Sequence, residues 1–199
     1  EMGHTNEMET IRYALKNKPI ITSLVDDNDL GQLLETSSNL AFILSGDIFS
    51  VEKAVAKIKA VGKLVFVHFD LIAGIGKDQM GVRYLADKIG ADGLVTTRSN
   101  IILAGKRQKM LTVQRLFALD SVSIDNGIRV IKSTQPDAIE VLPGMIIPRI
   151  IHRIHKELDI PVIAGGLITD VHDLEAVLAC GAIGISTSSK KLWQWQDSE

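Results

Sequence analysis

The sequence is poor in cysteine and in long apolar runs, and each shortage excludes a class of protein. Cys180 is the single cysteine among 199 residues, so an internal disulfide is excluded and a reducing compartment is expected. No apolar run is long enough to span a bilayer, and the N-terminus lacks the layout of a signal peptide. We therefore expect a soluble, cytoplasmic protein with no membrane partner.

Familiar catalytic and metal-binding patterns are missing as well. The sequence has no Walker loop, no Gly-x-Ser-x-Gly elbow, and neither the His-x-x-x-His nor the Cys-x-x-Cys spacing of metal sites. Aldolase chemistry would need a desolvated lysine on a strand, and the expected strands contain none. We therefore predict no metal and no cofactor, whereas a pair of acid and base groups at the strand ends stays open on these grounds. The formal net charge of -2 adds no global attraction to nucleic acid, so an anionic partner must be held by a local patch.

What the sequence does have is a series of eight short apolar, β-branched runs. They are Ile20–Val25, Leu40–Ser45, Leu64–Phe69, Gly93–Thr97, Leu111–Leu119, Ala138–Leu142, Val162–Ala164 and Ala182–Ser186. Amphipathic helical patterns lie between them, and successive runs start about 18 to 29 residues apart, the length of a compact strand-helix unit. Eight such units predict a small (β/α)8 TIM-type barrel with short loops. The alternative is an open parallel α/β sheet.

The runs fit one domain without an internal linker. We expect residues 19–193 to form the α/β barrel, residues 1–18 to be an N-terminal extension or leading helix, and residues 194–199 to be a tail. The first few residues are polar and precede any periodic pattern, so no function is assigned to them.

The last two units carry the strongest site signal. Residues 161–166 and 182–188 are apolar runs that open into glycines and hydroxyl residues, and the loops after strands seven and eight of such barrels often bind phosphate. Either motif alone is more often a turn or a helix cap. Their pairing in this order favours an anion site. The expected phosphate-binding residues are Gly144, Gly165, Gly166, Ser186, Thr187 and Ser188.

Two carboxylates fall at the ends of other strands. Asp70 follows the third run and Glu140 lies in the sixth. Ionised carboxylates accept hydrogen bonds, so the hydroxyl groups of a ligand would suit both. Salt bridges across the barrel mouth, with Arg98 or Arg115, are an equal alternative. His68 shares a strand face with Asp70 and is expected to be a core histidine.

Two segments contain basic residues and no acidic ones. Residues 96–119 and 145–156 are free of Asp and Glu, and such stripes can follow a phosphate backbone. Solvated helix faces are the more common meaning of such a pattern. The candidates for nucleic-acid contact are Arg98, Lys106, Arg107, Lys109, Arg149, Arg153 and Lys156.

Five motifs in order resemble the glycerol uptake operon antiterminator family. They are His68-Phe-Asp-Leu-Ile with the Gly-Ile-Gly-Lys-Asp loop after it, Gln114 to Ser121, Pro136 to Gly144, Ile160 to Ile168, and Ala182 to Ser188 with Leu192-Trp193. Together the resemblance covers nearly everything from Pro19 to Trp193.

The resemblance implies a cytoplasmic regulator and not an enzyme. Members sense glycerol 3-phosphate, an effector and not a cofactor, and act on the leader mRNA of glycerol-catabolic operons so that transcription passes a terminator and the transcript is stabilised. In this chain the phosphate would fall to the glycine and hydroxyl set above, and the glycerol hydroxyls to Asp70 and Glu140. We further expect the effector to order the glycine-containing loop 71–79 and so couple the two sites. A homo-oligomer stays open.

An enzyme on the same scaffold is the alternative function. A barrel acting on a triose or sugar phosphate could use Asp70 and Glu140 as acid and base, and architecture alone does not discriminate between a sensor and an enzyme.

Overall fold

Eight parallel strands close into a barrel in the computed structural model, which describes residues 2–197 and the side chains of residues 8–196. Each strand pairs with its sequence neighbours, and β1 pairs with β8. The strands are β1 (Ile20–Leu24), β2 (Leu40–Ile43), β3 (Leu64–His68), β4 (Gly93–Thr96), β5 (Leu111–Phe117), β6 (Ala138–Leu142), β7 (Val162–Gly165) and β8 (Gly184–Thr187). The (β/α)8 prediction is confirmed, and the open-sheet alternative is wrong.

A helical segment follows every strand and packs outside the barrel. The helices are α1 (Met2–Leu15), α2 (Leu30–Glu35), α3 (Ile48–Ala60), α4 (Gln79–Tyr84), α5 (Ser99–Arg107), α6 (Ser121–Thr134), α7 (Ile147–Glu157), α8 (Val171–Ala179) and α9 (Lys190–Trp193). A π-helical segment, Leu85–Ile89, continues α4, and 3-10 turns span Asp27–Asp29, Phe69–Leu71, Gly144–Ile146 and Trp195–Asp197. Among the described residues, no helix has the length and apolar character that crossing a membrane requires.

Strand alternation divides the apolar side chains between two cores. Ile21 and Phe42 point into the barrel, whereas Ile20 and Ala41, one residue earlier on each strand, belong to the layer between strands and helices. Inside the barrel the rings of Phe42 and Phe66 stack with centroids 5.7 Å apart. Side chains therefore fill the centre of the barrel, so a ligand held by the strands would lie at one end.

The N-terminal end of the barrel is closed by the segments that flank it. Ile11 and Leu15 of α1 are fully buried in the inner core. From the other end of the chain, the side chain of Gln196 accepts a hydrogen bond from Ile20 N at 3.0 Å and donates one to Ser38 Oγ at 3.1 Å. Residue 1 and residues 198–199, which belong to the predicted flanking segments, lie outside the described residues. The opposite, C-terminal mouth stays open.

Candidate functional site

The inner face of the barrel changes from apolar to polar near the C-terminal mouth. Two residues beyond Ile21, for example, the same face of β1 carries Ser23, and two residues beyond Val113 the face of β5 carries Arg115. Six strands follow this pattern, with Ser23, His68, Arg115, Glu140, Gly165 and Ser186 in the second position. A ring of polar or small residues therefore lies above the apolar plug.

A cavity of about 470 Å³ opens above this ring, between the strand ends and the loops that follow β7 and β8. Its lining comprises Ser23, Leu44, Arg115, Glu140, Leu142, Gly166, Leu167, Ile168, Thr169, Ser186, Thr187, Ser188 and Ser189. The two segments that the sequence paired are thus neighbours around one space large enough for a small phosphorylated molecule.

Four of the six residues expected to bind phosphate line the cavity: Gly166, Ser186, Thr187 and Ser188. Gly165 lies beneath them, and Gly144 is buried beside them, where its N–H donates to the carbonyl of Gly166 at 3.0 Å. Gly144 and Gly165 therefore lie behind the residues that line the cavity and do not line it themselves. Phosphate binding itself stays a prediction for all six.

Glu140 and Arg115 form the charged floor of the cavity. Arg115 Nε donates to Glu140 Oε2 at 2.5 Å, and Ser186 Oγ donates to Glu140 Oε1 at 2.5 Å. The Glu140 side chain is fully buried, so its charge needs this compensation. Because the remaining Arg115 donors are not spent on Glu140 Oε2, the guanidinium can still present N–H groups to the cavity that it lines.

Gly165 is what makes room for that carboxylate. A Cβ at this position would lie 2.5 Å from Glu140 Oε1, closer than any real contact. Glycine is therefore required by close approach, and the Gly165-Gly166 pair of the sequence has two different duties. Gly165 admits Glu140, and Gly166 adopts a φ of 71°, which favours glycine at the turn after β7.

Trp193 fixes the other wall. Its Nε1–H donates to the carbonyl of Thr187 at 2.7 Å, and its ring is buried against the barrel. Thr187 Oγ1 in turn accepts from Ser189 N at 3.0 Å. The Leu192-Trp193 motif thus holds the loop after β8 in place.

Asp70 lies at the rim, outside the cavity lining. Its Oδ2 accepts from Thr96 Oγ1 at 2.8 Å and from Thr97 N at 3.1 Å, and Arg98 Nε lies 3.3 Å from its Oδ1. The salt-bridge alternative therefore describes both carboxylates, Asp70 with Arg98 and Glu140 with Arg115. Glu140 still reaches the cavity and Asp70 does not, and a contact with ligand hydroxyls stays a prediction for each.

His68 is buried inside the barrel mouth, as expected for a core histidine. Burial is the largest cause lowering its pKa, the positive charge of Arg115 adds to the decrease, and Asp70 opposes it, so that the pKa falls from 6.5 to about 4. The imidazole is therefore neutral at physiological pH. Within the described residues its Nδ1 has no hydrogen-bond partner.

Hydrogen bonds hold the glycine-containing loop 71–79 in place. Lys77 Nζ donates to the carbonyls of Phe69, at 2.6 Å, and Ile72, and it lies 5.2 Å from the centroid of the Phe69 ring. Ala73 exchanges backbone hydrogen bonds with Gly46 and Ile48. This loop contributes nothing to the cavity lining, so the expected ordering of loop 71–79 by the effector has no support in the geometry.

The basic residues predicted to contact nucleic acid divide into a mouth site and a side surface. Arg98 is at the mouth with Asp70. Lys106 donates to the last carbonyls of α6, and Arg153 pairs with Asp125. Arg107, Lys109, Arg149, Arg153 and Lys156 are exposed on the outside of the barrel.

Sequence reasoning missed three hydroxyl-bearing residues of the cavity, Ser23, Thr169 and Ser189, and it named Arg115 only as a salt-bridge partner. Ser23 is buried, and its Oγ has no hydrogen-bond partner within the described residues. Alternation along β1 was the available signal, since a serine two positions after an inward apolar residue faces the mouth. Thr169 and Ser189 lie in loops, where alternation gives no such guidance.

The fold and the cavity define a class of protein, a closed (β/α)8 barrel with a polar, arginine-containing pocket at its C-terminal mouth. More specifically, the chain belongs to the glycerol-3-phosphate responsive antiterminator family, whose model matches residues 20–193. The resemblance read from the five motifs is thereby confirmed.

Known proteins similar to this chain share nearly its whole length. The crystal structure of a glycerol uptake operon antiterminator regulatory protein from Listeria monocytogenes is 38% identical, with a TM-score of 0.85, over 89% of this chain and 96% of that one. A glycerol uptake operon antiterminator-related protein from Thermotoga maritima is 32% identical, with a TM-score of 0.80, over 89% and 98%. YgcP, an uncharacterized protein of Escherichia coli K12, is 29% identical over 91% of this chain and 94% of its own.

Proposed function

We propose that this protein senses glycerol 3-phosphate and, when the effector is bound, binds the leader mRNA of glycerol-catabolic operons in the cytoplasm. Transcription then passes the terminator, and the transcript is stabilised. Membership of the antiterminator family supports the regulatory role. The observation that carries the effector assignment is the mouth cavity, because its lining combines Gly166 and the hydroxyls of residues 186–189 with a partly buried arginine.

The chemistry of the cavity suits a small phosphate ester. Hydroxyls and backbone N–H groups of the loops after β7 and β8 can donate to phosphate oxygens, and Arg115 supplies a positive charge in a partly desolvated floor. Glu140 and Ser23 offer groups to the glycerol hydroxyls. Glycerol without its phosphate would lose the charged interactions, so it should bind far more weakly.

Ser188 offers a clean test because it is exposed at the lip of the cavity. Ser188→Asp places a carboxylate beside the expected phosphate and should weaken glycerol 3-phosphate binding by at least about tenfold through charge repulsion. Ser188→Asn has nearly the same shape without the charge and should stay within about threefold of wild type. Isothermal titration calorimetry measures all three affinities.

The control ligand in the same titrations is glycerol, which should give no measurable heat. If Ser188→Asp and Ser188→Asn bind glycerol 3-phosphate as wild type does, the phosphate does not lie between these loops. If wild type itself binds no glycerol 3-phosphate, the sensor assignment fails.

No observation favours the alternative of a triose- or sugar-phosphate enzyme. That alternative needs Asp70 and Glu140 as an acid and a base facing one substrate, but each is paired with an arginine and only Glu140 lines the cavity. The family is a regulatory one.

A further inference from the structure

Positive charge is concentrated in one third of the chain. Residues 93–156 contain ten Lys and Arg residues against four Asp and Glu residues, whereas the remainder contains twelve against twenty. This segment runs from β4 to the last turn of α7, where Glu157 follows it, so the charge lies on one side of the barrel. The net charge of -2 conceals this asymmetry.

The two acid-free segments of the sequence meet on α6. Lys106 at the end of α5 donates to Gln135 O at 2.6 Å, at the C-terminus of α6. On the other flank, α6 and α7 enclose a groove of about 470 Å³. Six exposed cations follow the outer faces of α5, α6 and α7, and we call them the basic belt: Arg107, Arg129, Lys132, Arg149, Arg153 and Lys156.

Helical spacing aligns the belt along the groove. Arg149, Arg153 and Lys156 lie at positions i, i+4 and i+7 of α7 and span about 10 Å along its axis. Arg129 and Lys132 face them from α6. The row of cations can therefore follow an extended polyanion.

Acidic residues do little to cancel this charge. Of the four in the segment, Asp137 and Glu140 are fully buried. Asp120 caps α6 at the mouth, and Asp125 pairs with Arg153 at the groove. Glu157, one residue beyond the segment, pairs with Lys132 there. Arg129, Arg149 and Lys156 are left to attract an external anion.

The mouth of the barrel has the opposite character. Five helical segments begin there with an aspartate N-cap: Asp26, Asp47, Asp78, Asp120 and Asp170. Backbone hydrogen bonds lower the pKa of Asp47 and of Asp120, so both are ionised at neutral pH. These carboxylates disfavour a long phosphate backbone across the mouth, whereas a small phosphate ester can reach the positive charge of Arg115 inside the cavity.

The helices α6 and α7 of the belt also contain no Phe, Tyr or Trp, the side chains on which unpaired bases usually stack. No Phe, Tyr or Trp occurs between Phe117 and Trp193. Proteins that hold single strands usually stack bases on such rings, whereas paired RNA is recognised mainly through its backbone and shape. The missing rings favour a paired segment.

From these observations we propose that the basic belt is the RNA-binding surface and that it takes the phosphate backbone of a base-paired RNA stem, beside the effector site and not across it. This proposal rests on the proposed function for the presence of RNA as partner. Effector and RNA then occupy separate surfaces, and the RNA never touches the ligand.

The test compares two triple variants of the full chain with equal charge change. The belt variant is Arg129→Gln, Arg149→Gln and Lys156→Gln, which breaks none of the belt's salt bridges. The control is Lys53→Gln, Lys57→Gln and Lys88→Gln, exposed cations of α3 and the π-helical segment, which follow β2 and β3 on the far side of the barrel. Fluorescence anisotropy would measure binding of a leader-derived hairpin and of an unpaired RNA of equal length, at several salt concentrations with saturating glycerol 3-phosphate.

We expect the belt variant to bind the hairpin at least tenfold more weakly. The log–log slope of its salt dependence should fall by up to about 0.9 for each phosphate that the variant no longer neutralises. The control variant should bind like wild type, and wild type should prefer the hairpin to the unpaired RNA. Both variants should bind glycerol 3-phosphate normally.

The assignment of the surface would be overturned if both variants lost RNA affinity equally, or if the belt variant lost none. Binding of RNA by wild type would still support the proposed function. If wild type bound the unpaired RNA more tightly than the hairpin, the proposal that the belt takes a base-paired stem would be overturned. If wild type binds neither RNA, the proposed function fails, and the belt proposal fails with it.

Discussion

At the scale of single residues, Arg115, Glu140 and Ser186 form a triad at the floor of the cavity. Hydrogen bonds from Arg115 and Ser186 hold the Glu140 carboxylate in place. The sequence showed that Glu140 falls at a strand end but left its partner open between a ligand and an arginine. Strand order alone could not decide, because β5 and β6 place Arg115 directly opposite Glu140 only through their register. Gly165 was predictable as a small residue near an anion. Its actual duty, making room for Glu140, depends on a distance that no sequence pattern encodes.

The triad predicts the effect of Gly165→Ala. The added methyl would lie 2.5 Å from Glu140 Oε1, so the carboxylate must move away from Arg115 or Ser186. We expect the free energy of unfolding to fall by about 3 kcal/mol, since overpacking and a disturbed buried ion pair both contribute. Urea denaturation measures it.

Gly31→Ala is the matched control for that substitution. Gly31 lies in α2, and a Cβ there meets nothing within 4 Å, so alanine should stabilise by about 0.5 to 1 kcal/mol. Equal effects of the two substitutions would show that the site tolerates a moved Glu140.

His68 predicts a pH dependence of stability. Its pKa is about 4 in the folded protein, against 6.5 for an unburied histidine. Between these values the unfolded chain binds the proton and the folded one does not, so stability should fall as pH drops from 6.5 to 4, by on the order of 3 kcal/mol at most.

His68→Gln should remove that part of the acid sensitivity, because glutamine does not titrate. Urea unfolding of both proteins at intervals from pH 7 to pH 4 gives the comparison. Parallel pH profiles for wild type and His68→Gln would contradict the assignment of a neutral, buried imidazole.

At the scale of elements, periodicity was sufficient for the strands. All eight predicted runs overlap a strand of the barrel, although β7 and β8 each extend one residue beyond the predicted end. Short β-branched runs separated by amphipathic helices have few other uses. The run from Leu111 overestimated β5, which ends at Phe117: Ala118 is still buried, but Leu119 is 80% exposed in the connection to α6. Loops were the weak point: the anchoring of residues 71–79 by Lys77 follows from a side chain reaching back to carbonyls, which spacing does not reveal.

The element least visible in the sequence is α1, whose role is to close the N-terminal end of the barrel. Leu15 is 1% exposed and belongs to the inner core, whereas Tyr13, two residues earlier, is 83% exposed. Leu15→Ala should therefore lower the free energy of unfolding by about 2 to 5 kcal/mol. Tyr13→Ala should change it by less than about 0.5 kcal/mol.

Thermal and urea unfolding of the full chain distinguish these cases. If Leu15→Ala changes the free energy of unfolding as little as Tyr13→Ala does, α1 does not close the barrel in solution.

At the scale of the whole molecule, β5 connects the cavity with the side surface. Arg115 points into the cavity, and the preceding residue, Gln114, points outward, where its Oε1 accepts from Thr134 Oγ1 of α6 at 2.6 Å. The carbonyl of Thr134 accepts from Lys106 Nζ at 3.3 Å. One strand thus touches both the mouth cavity and the helix that carries part of the basic belt.

The sequence indicated both the loops that form the mouth cavity and the basic segments, but it could not place one relative to the other. Basic residues distant in the chain, such as Lys106 and Lys156, flank the same helix only because α5, α6 and α7 are neighbours around a closed barrel. The position of the mouth cavity away from them is likewise a property of the fold. Linkage requires that an effector which strengthens RNA binding is itself bound more tightly in the presence of RNA, by the same factor.

The most direct test of the account is the affinity of the full chain for leader RNA, measured by fluorescence anisotropy with and without saturating glycerol 3-phosphate. The account predicts that the effector lowers the RNA Kd by at least about fivefold, and that Ser188→Asp, but not Ser188→Asn, needs a higher effector concentration for the same gain. An RNA Kd that is the same with and without bound glycerol 3-phosphate would contradict it.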